Sequence, residues 1–410
     1  SYTDLDDDGT YDMQGAGVSI DNSTGYVVAI VGGRNQDFTS YTLNRAYQSH
    51  RQPGSSIKPL LVYTPCFERG YDPDTIVDDH KFEGGPSNAT KTYAGKVKLR
   101  YAVAQSLNTV AWQLYDQLTP EVGLQYLKNM NFTGIVKDDY TLATSLGGFT
   151  KGVSPLEMAA GFATIENDGM YREPTCIKTI IDSDENVVYA SQMTEVSIYE
   201  QDAARIMTDV LTTVMDSGTG RALKLKGMPC AGKTGTTNDH KDGWFVGFTR
   251  YYTTSVWVGC DYPKAIQNLS GSTYPGRIWN TYMSAIHENL SPMDFIPYAQ
   301  LSDDFKNQQK QDQQDQEQKR EEDNAAGQQD KIDQNQQDQN QPADNNQDQN
   351  QNDNAGNDSN NTNTGDNTGN NNSDGNNSDD NTGDNTGDNN GGDNTGGDNN
   401  TGEDTPTDTP

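Results

Sequence analysis

Gly227-Met228-Pro229-Cys230-Ala231-Gly232-Lys233-Thr234-Gly235-Thr236-Thr237 admits two incompatible readings, and the choice between them decides the fold. Residues 227 to 234 match the phosphate-loop pattern Gly-x-x-x-x-Gly-Lys-Thr literally. Such a loop follows a hydrophobic strand and opens a helix, so that backbone amides and the helix end cradle the anion. Here Arg221-Ala222-Leu223-Lys224-Leu225-Lys226 precedes it, Pro229 lies inside it, and Gly235-Thr236-Thr237-Asn238-Asp239 is a poor helix start. The other reading lays Lys233-Thr234-Gly235 along a strand edge. An ammonium and a hydroxyl then face an anionic substrate, Gly235 lets another backbone come close, and Thr236 offers its N–H. The strand reading is the better supported, and a nucleotide-binding protein is the remote alternative.

Beyond this stretch, residues 244 to 249 and 253 to 260 are β-rich runs joined by a turn at Arg250-Tyr251, and residues 276 to 290 have helical spacing. At the other end, residues 16 to 20 and 26 to 31 flank Asp21-Asn22-Ser23-Thr24-Gly25 and read as a hairpin. Between them lie helical patterns at residues 59 to 69, 99 to 105, from 107 onward, and 200 to 215. Ser154-Pro155-Leu156-Glu157 opens another helix with an N-cap, Pro at the first helical position and a capping-box Glu. Residues 70 to 96, rich in Asp, Pro and Gly, read as a loop over one face. Helices in the middle with strands at both ends predict an α+β fold whose terminal strands meet in one antiparallel sheet.

Chemistry is expected at Gln52-Pro53-Gly54-Ser55-Ser56-Ile57-Lys58-Pro59. If the chain turns helical after Gly54, Ser55 and Lys58 stand at i and i+3 on one face, whereas Ser56 and Lys58 do not face each other. Ser55 is therefore the candidate nucleophile. Its N–H is one of the unpaired donors of a first helical turn, available to a developing oxyanion. Ser106 and Asn108, read alone, are helix caps.

Composition divides the chain. Beyond Ser302 there are 26 acidic and 5 basic residues, a net of −21 out of the chain's −31. Residues 302 to 410 repeat Asn, Asp, Gln, Gly and Thr with almost no apolar residues, and are expected to be a disordered acidic tail. Residues 1 to 14 read as an acidic linker. Asp4-Leu5-Asp6-Asp7-Asp8-Gly9 matches half a calcium loop, but Gly15 stands where the bidentate Glu belongs. No metal or cofactor is expected. Cys66, Cys176, Cys230 and Cys260 form no C-x-x-C pair, and their pairing is left open. No basic patch suggests nucleic acid, and no apolar run approaches the roughly 18 residues of a membrane span.

Three motifs now stand in order: Ser-x-x-Lys at 55, Ser-x-Asn at 106 and Lys-Thr-Gly at 233. With Arg51 to Pro59, Gln105-Ser106-Leu107-Asn108, Ser154 to Ala159 and Ala231 to Asn238, the chain resembles the transpeptidase domain of bifunctional, class A penicillin-binding proteins. The likeness covers roughly residues 15 to 290, within a domain set at 15 to 301. It implies the penicillin-binding/β-lactamase-like fold, an antiparallel sheet flanked by helices. The glycosyltransferase domain and membrane anchor usual to that family are not in the 410 residues, so an upstream portion is expected and glycan polymerisation is not.

The resemblance further implies that Ser55 attacks the D-Ala-D-Ala bond of a peptidoglycan stem peptide, with Lys58 as base. Ser106 relays the proton and Asn108 holds the substrate amide. Lys233, Thr234, Gly235 and Thr236 form the substrate-binding strand, and the amides of Ser55 and Thr236 form the oxyanion hole. β-Lactams are expected to acylate Ser55, on the extracytoplasmic face of a bacterial membrane. A D,D-carboxypeptidase differs only in using water as acceptor, and a β-lactam sensor acylates without turnover. A class A β-lactamase is disfavoured, because no Glu-x-x-Leu-Asn block occurs.

Overall fold

The computed structural model describes residues 11–34 and 42–298. The chain opens with the predicted hairpin, Met13–Asp21 (β1) and Val27–Val31 (β2). Asp21 holds its turn by accepting from the N–H and hydroxyl of Ser23 at 2.8 and 2.6 Å. After the short helix Arg45–Gln48 (α1), a 3-10 turn, Gly54–Ile57, leads into a π-type turn, Pro59–Tyr63, and then Thr64–Glu68 (α2). Pro59 has no N–H to give, so regular helical bonding cannot run through the turn that carries Ser55. Every residue from Ser56 to Phe67 is buried. A segment buried on all sides lies at the centre of a domain, and this one places the candidate nucleophile at the core's edge.

Residues 70 to 96 depart from the expected loop. They contain Ile76–Asp79 (β3), which pairs antiparallel with Gly95–Lys98 (β4). Both strands alternate between exposed and part-buried residues except at Asp79, so hydrophobic periodicity had little to report. Leu99–Ala104 (α3), Asn108–Leu118 (α4) and Pro120–Asn129 (α5) come next. Pro155–Glu166 (α6) starts at the predicted capping box. The Ser154 N–H reaches Glu157 Oε2 at 2.7 Å, and the Glu157 N–H reaches Ser154 Oγ at 3.2 Å.

Two small hairpin-like sheets succeed α6: Met170–Arg172 (β5) pairs with Glu195–Ser197 (β8), and Thr179–Ile181 (β6) with Val187–Ala190 (β7). Gln201–Asp216 (α7) leads to the strands Ala231–Thr236 (β9), Asp242–Phe248 (β10) and Tyr252–Cys260 (β11), and to Tyr274–Ile286 (α8). The main sheet has the order β2-β1-β11-β10-β9, antiparallel throughout. The strands at the two ends of the domain thus meet, as expected. Met158, Phe162 and Ile165 of α6 are buried in the core with Trp244, Phe248 and Trp257 of the sheet. Each large apolar side chain so buried contributes about 1.5–3 kcal/mol.

The phosphate-loop alternative is overturned here. Residues 231 to 236 are strand, and the chain leaves that strand through a 3-10 turn, Asn238–His240, in which Asp239 and His240 have φ of +59° and +55°. No helix end stands ready to receive a phosphate. All four cysteines are free thiols, Cys66, Cys230 and Cys260 buried and Cys176 exposed. Among the described residues no helix is long and apolar enough to cross a membrane. The acidic run at 4 to 9 and the tail from 302 to 410 lie outside the described residues.

Candidate active site

Two glycines allow the Ser55 turn to lie against β9. Gly54 has φ +53°, and a Cβ there would meet the Thr236 carbonyl oxygen at 2.7 Å. At Gly235 a Cβ would meet the Pro53 carbonyl oxygen at 2.3 Å. Any side chain at either place forces strand and turn apart. β9 is the edge of the main sheet, so its outer side has no strand neighbour. The turn is also anchored from behind. Trp244 Nε1 donates to the Gln52 carbonyl at 2.9 Å, Arg51 Nε to Asp242 Oδ1 at 2.8 Å, and Arg51 and Val153 exchange backbone bonds at 2.9 Å.

Ser55 is half-buried, and among the described residues its hydroxyl makes no hydrogen bond, to Lys58 or to any other group. Lys58 is fully buried. Its Nζ donates to Asn108 Oδ1 at 2.8 Å and to the carbonyls of Ser106 and Leu107 at 3.0 and 3.3 Å. Burial first, and then the charge of Lys233, hold its amine well below the usual lysine range.

Ser106 and Asn108 are not the helix caps that their positions suggest. The N-cap of α4 is Leu107, which offers no capping side chain, and Asn108 is already helical. Ser106 instead adopts φ +59°, a left-handed conformation that costs a non-glycine residue about 1–2 kcal/mol. The kink turns its carbonyl to Lys58 and its hydroxyl to Lys233, whose Nζ donates to Ser106 Oγ at 2.8 Å. Lys233 is also fully buried; it donates to the Thr234 carbonyl at 3.0 Å, and burial lowers its pKa to about 7.

Thr234 Oγ1 shares a hydrogen bond of 2.7 Å with Thr219 Oγ1, and Thr236 Oγ1 accepts from the Gly271 N–H at 3.0 Å. Ser106 joins the two lysines, Lys58 through its carbonyl and Lys233 through its hydroxyl. Residues absent from the sequence reading also touch the site. Thr219 comes from the loop after α7, whose backbone is tied to the Ala104 carbonyl at 3.1 Å. Asn88 and Ser87 bond Asn108 from the β3–β4 connection. Their signal was a non-local contact, which spacing in sequence does not carry. A cavity of about 480 Å³ lies between β1, β2, β11 and α8, and no residue of the three motifs lines it.

A helical turn, an inter-helix kink and an edge strand carrying Ser-x-x-Lys, Ser-x-Asn and Lys-Thr-Gly define the class shared by penicillin-binding proteins and class A β-lactamases. Within that class the chain belongs to the penicillin-binding proteins: the family model described as penicillin binding protein transpeptidase domain matches residues 15–284. Penicillin-binding protein 4 of Bacillus subtilis is 35% identical over 280 residues, 67% of this chain and 45% of the relative. Penicillin-binding protein 1A of Aquifex aeolicus is 36% identical over 293 residues, 69% of this chain and 39% of the relative. The chain thus spans less than half the length of these relatives. Among solved structures, that of the PonA1 protein from Mycobacterium tuberculosis in complex with penicillin V superposes with a TM-score of 0.62 at 25% identity, covering 70% of this chain and 82% of that one.

Proposed function

We propose that the domain is a serine-type D,D-transpeptidase that cross-links peptidoglycan stem peptides. The observation that carries this reading is the pair of fully buried lysines joined through Ser106: one lies in an environment that disfavours its charge, and the other bonds the Ser106 hydroxyl. Ser55 Oγ bonds to the carbonyl carbon of the penultimate D-Ala, its proton passing to Lys58. Burial first, and then the charge of Lys233, disfavour the ammonium form of Lys58, and Lys58 is the amine read as the neutral base. A neutral amine keeps a lone pair for that proton, and two of the three oxygens around Nζ suffice for its remaining N–H groups.

The C–N bond to the terminal D-Ala then breaks, and the proton that Lys58 took is relayed through Ser106 to the leaving amine, which leaves Lys58 neutral and Ser106 a hydroxyl again. Lys233, still charged, and the hydroxyls of Thr234 and Thr236 hold the terminal carboxylate, and Asn108 holds the substrate amide. The N–H groups of Ser55 and Thr236 stabilise the oxyanion, an effect of the kind that a single donor makes worth about 2.7–4 kcal/mol. An amine of a second stem peptide attacks the acyl-serine carbonyl and the ester C–O bond breaks, one amine proton passing to Ser55 Oγ, so that the cross-link forms and the Ser55 hydroxyl is restored. β-Lactams, which present a carboxylate beside a strained amide, acylate Ser55 in the same way; the penicillin V complex of PonA1 supports this. The substrate places the reaction on the extracytoplasmic face of the bacterial membrane.

The test offers a stem pentapeptide with and without an acceptor amine, and separates cross-linked product from hydrolysed peptide by mass. Cross-linked product that depends on the acceptor and disappears in Ser55→Ala is expected. D-Ala release with hydrolysed peptide alone makes the protein a carboxypeptidase and overturns the proposal.

A further inference from the structure

The Ser106–Asn108 motif rests on a buried polar unit that belongs to none of the three motifs. Asp79, at the end of β3, is 1% exposed and makes no ion pair among the described residues. Its Oδ1 accepts from Asn88 Nδ2 at 2.7 Å and from the Thr109 hydroxyl, and its Oδ2 accepts from the Ala94 N–H at 2.7 Å. Asn88, 3% exposed, gives its second amide hydrogen to the Thr92 carbonyl at 2.9 Å. Its Oδ1 is thereby turned to the start of α4, where it accepts from the N–H groups of Asn108 and Thr109 at 2.7 and 3.5 Å. Asn88 does from another part of the chain what a capping residue does.

The same connection orients the Asn108 side chain. The Ser87 carbonyl accepts from Asn108 Nδ2 at 2.8 Å, which leaves Asn108 Oδ1 facing Lys58 Nζ at 2.8 Å. With the amide reversed, an NH₂ group would face the lysine amine.

We propose that Asp79 and Asn88 are positioning residues for acyl transfer. They fix the first turn of α4 and, with the Ser87 carbonyl, set the Asn108 amide so that its oxygen meets Lys58 while one N–H stays free for substrate. This rests on the transpeptidase reading above.

The experiment measures penicillin acylation by stopped flow across pH on the full chain, resolving the acylation rate constant from the affinity of the initial non-covalent complex. It compares wild type, Asn88→Ala, Asp79→Asn, and the exchange Asp79→Asn with Asn88→Asp. Misplacing a catalytic group by about 1 Å costs up to about 100-fold, so Asn88→Ala is expected to lower the rate constant about 10- to 100-fold and to shift its pH profile. The exchange, which re-forms a carboxylate–amide pair with the roles reversed, recovers part of the rate. Should Asn88→Ala not fold, Asp79→Asn, in which an NH₂ group replaces one of the two oxygens that accept from Asn88, Thr109 and Ala94, is read in the same way. A wild-type rate and pH profile in Asn88→Ala, with only a lowered Tm, makes Asn88 a plain helix cap and overturns the inference alone. A wild-type protein that forms no adduct overturns the transpeptidase reading as well.

Discussion

Lys233 Nζ donates to Ser106 Oγ across 2.8 Å, joining the edge strand to the kink before α4 over 127 residues of chain. The bond gives the serine oxygen a fixed donor, so its own proton points elsewhere. Ser106→Ala is predicted to fold and to acylate with penicillin about 100- to 10,000-fold more slowly, the range for a lost general acid–base group. Stopped-flow acylation checks this; a loss under tenfold would remove Ser106 from the proton path.

Acylation is predicted to be bell-shaped in pH. Lys58 must be neutral to take the Ser55 proton, so the rate rises with pH through its depressed pKa. Lys233 must stay charged to hold a carboxylate, so the rate falls above about 7, where it loses its proton. The same shift sets the sign for stability. Unfolded Lys233 keeps its proton to about 10.4, whereas folded Lys233 releases it at about 7. Its burial therefore destabilises most below pH 7, and the penalty eases as pH rises from 7 toward 10. Replacing it by Met is predicted to raise stability more at about pH 6 than at about pH 9, measured by urea unfolding at both.

Gly235→Ala is predicted to abolish most acylation while leaving the core intact. The new methyl would sit 2.3 Å from the Pro53 carbonyl oxygen, and the turn bearing Ser55 must move to admit it. Overpacking of this kind costs about 1–3 kcal/mol, read as a lowered unfolding midpoint. Normal acylation in this variant would show that strand and turn need not touch.

Arg51 and Asp242 form an ion pair whose side chains are 10% and 6% exposed, and Trp257 Nε1 adds a bond of 3.0 Å to the same carboxylate oxygen. Arg51→Met leaves that carboxylate without its cation and is predicted to cost about 3–5 kcal/mol in chemical denaturation. Replacing both partners together by apolar residues is predicted to cost less than this single change.

What the sequence disclosed was local. The Ser154–Glu157 box, the hairpin turn at Asp21 and the strand at Lys233 each carry their cause within a few residues, and each forms as expected. The helix from Pro120 is not among the expected elements, although Thr119-Pro120-Glu121 bears a start signal. Ser106 and Asn108 look like caps in sequence, whereas the oxygen that accepts from the first N–H groups of α4 belongs to Asn88, 20 residues away. Thr219 and Asp79 escape for the same reason: a side chain that acts by touching a distant segment leaves no mark in periodicity. The motif residues are legible as chemistry, while the groups that hold them are legible only in three dimensions.

The most direct test of the account is the intact mass of the protein after incubation with a penicillin, beside Ser55→Ala. A stable gain of one penicillin mass on the wild type, absent from the variant, is the predicted result. No gain on folded wild-type protein, or an equal gain on Ser55→Ala, would contradict the assignment of Ser55 and the mechanism built on it.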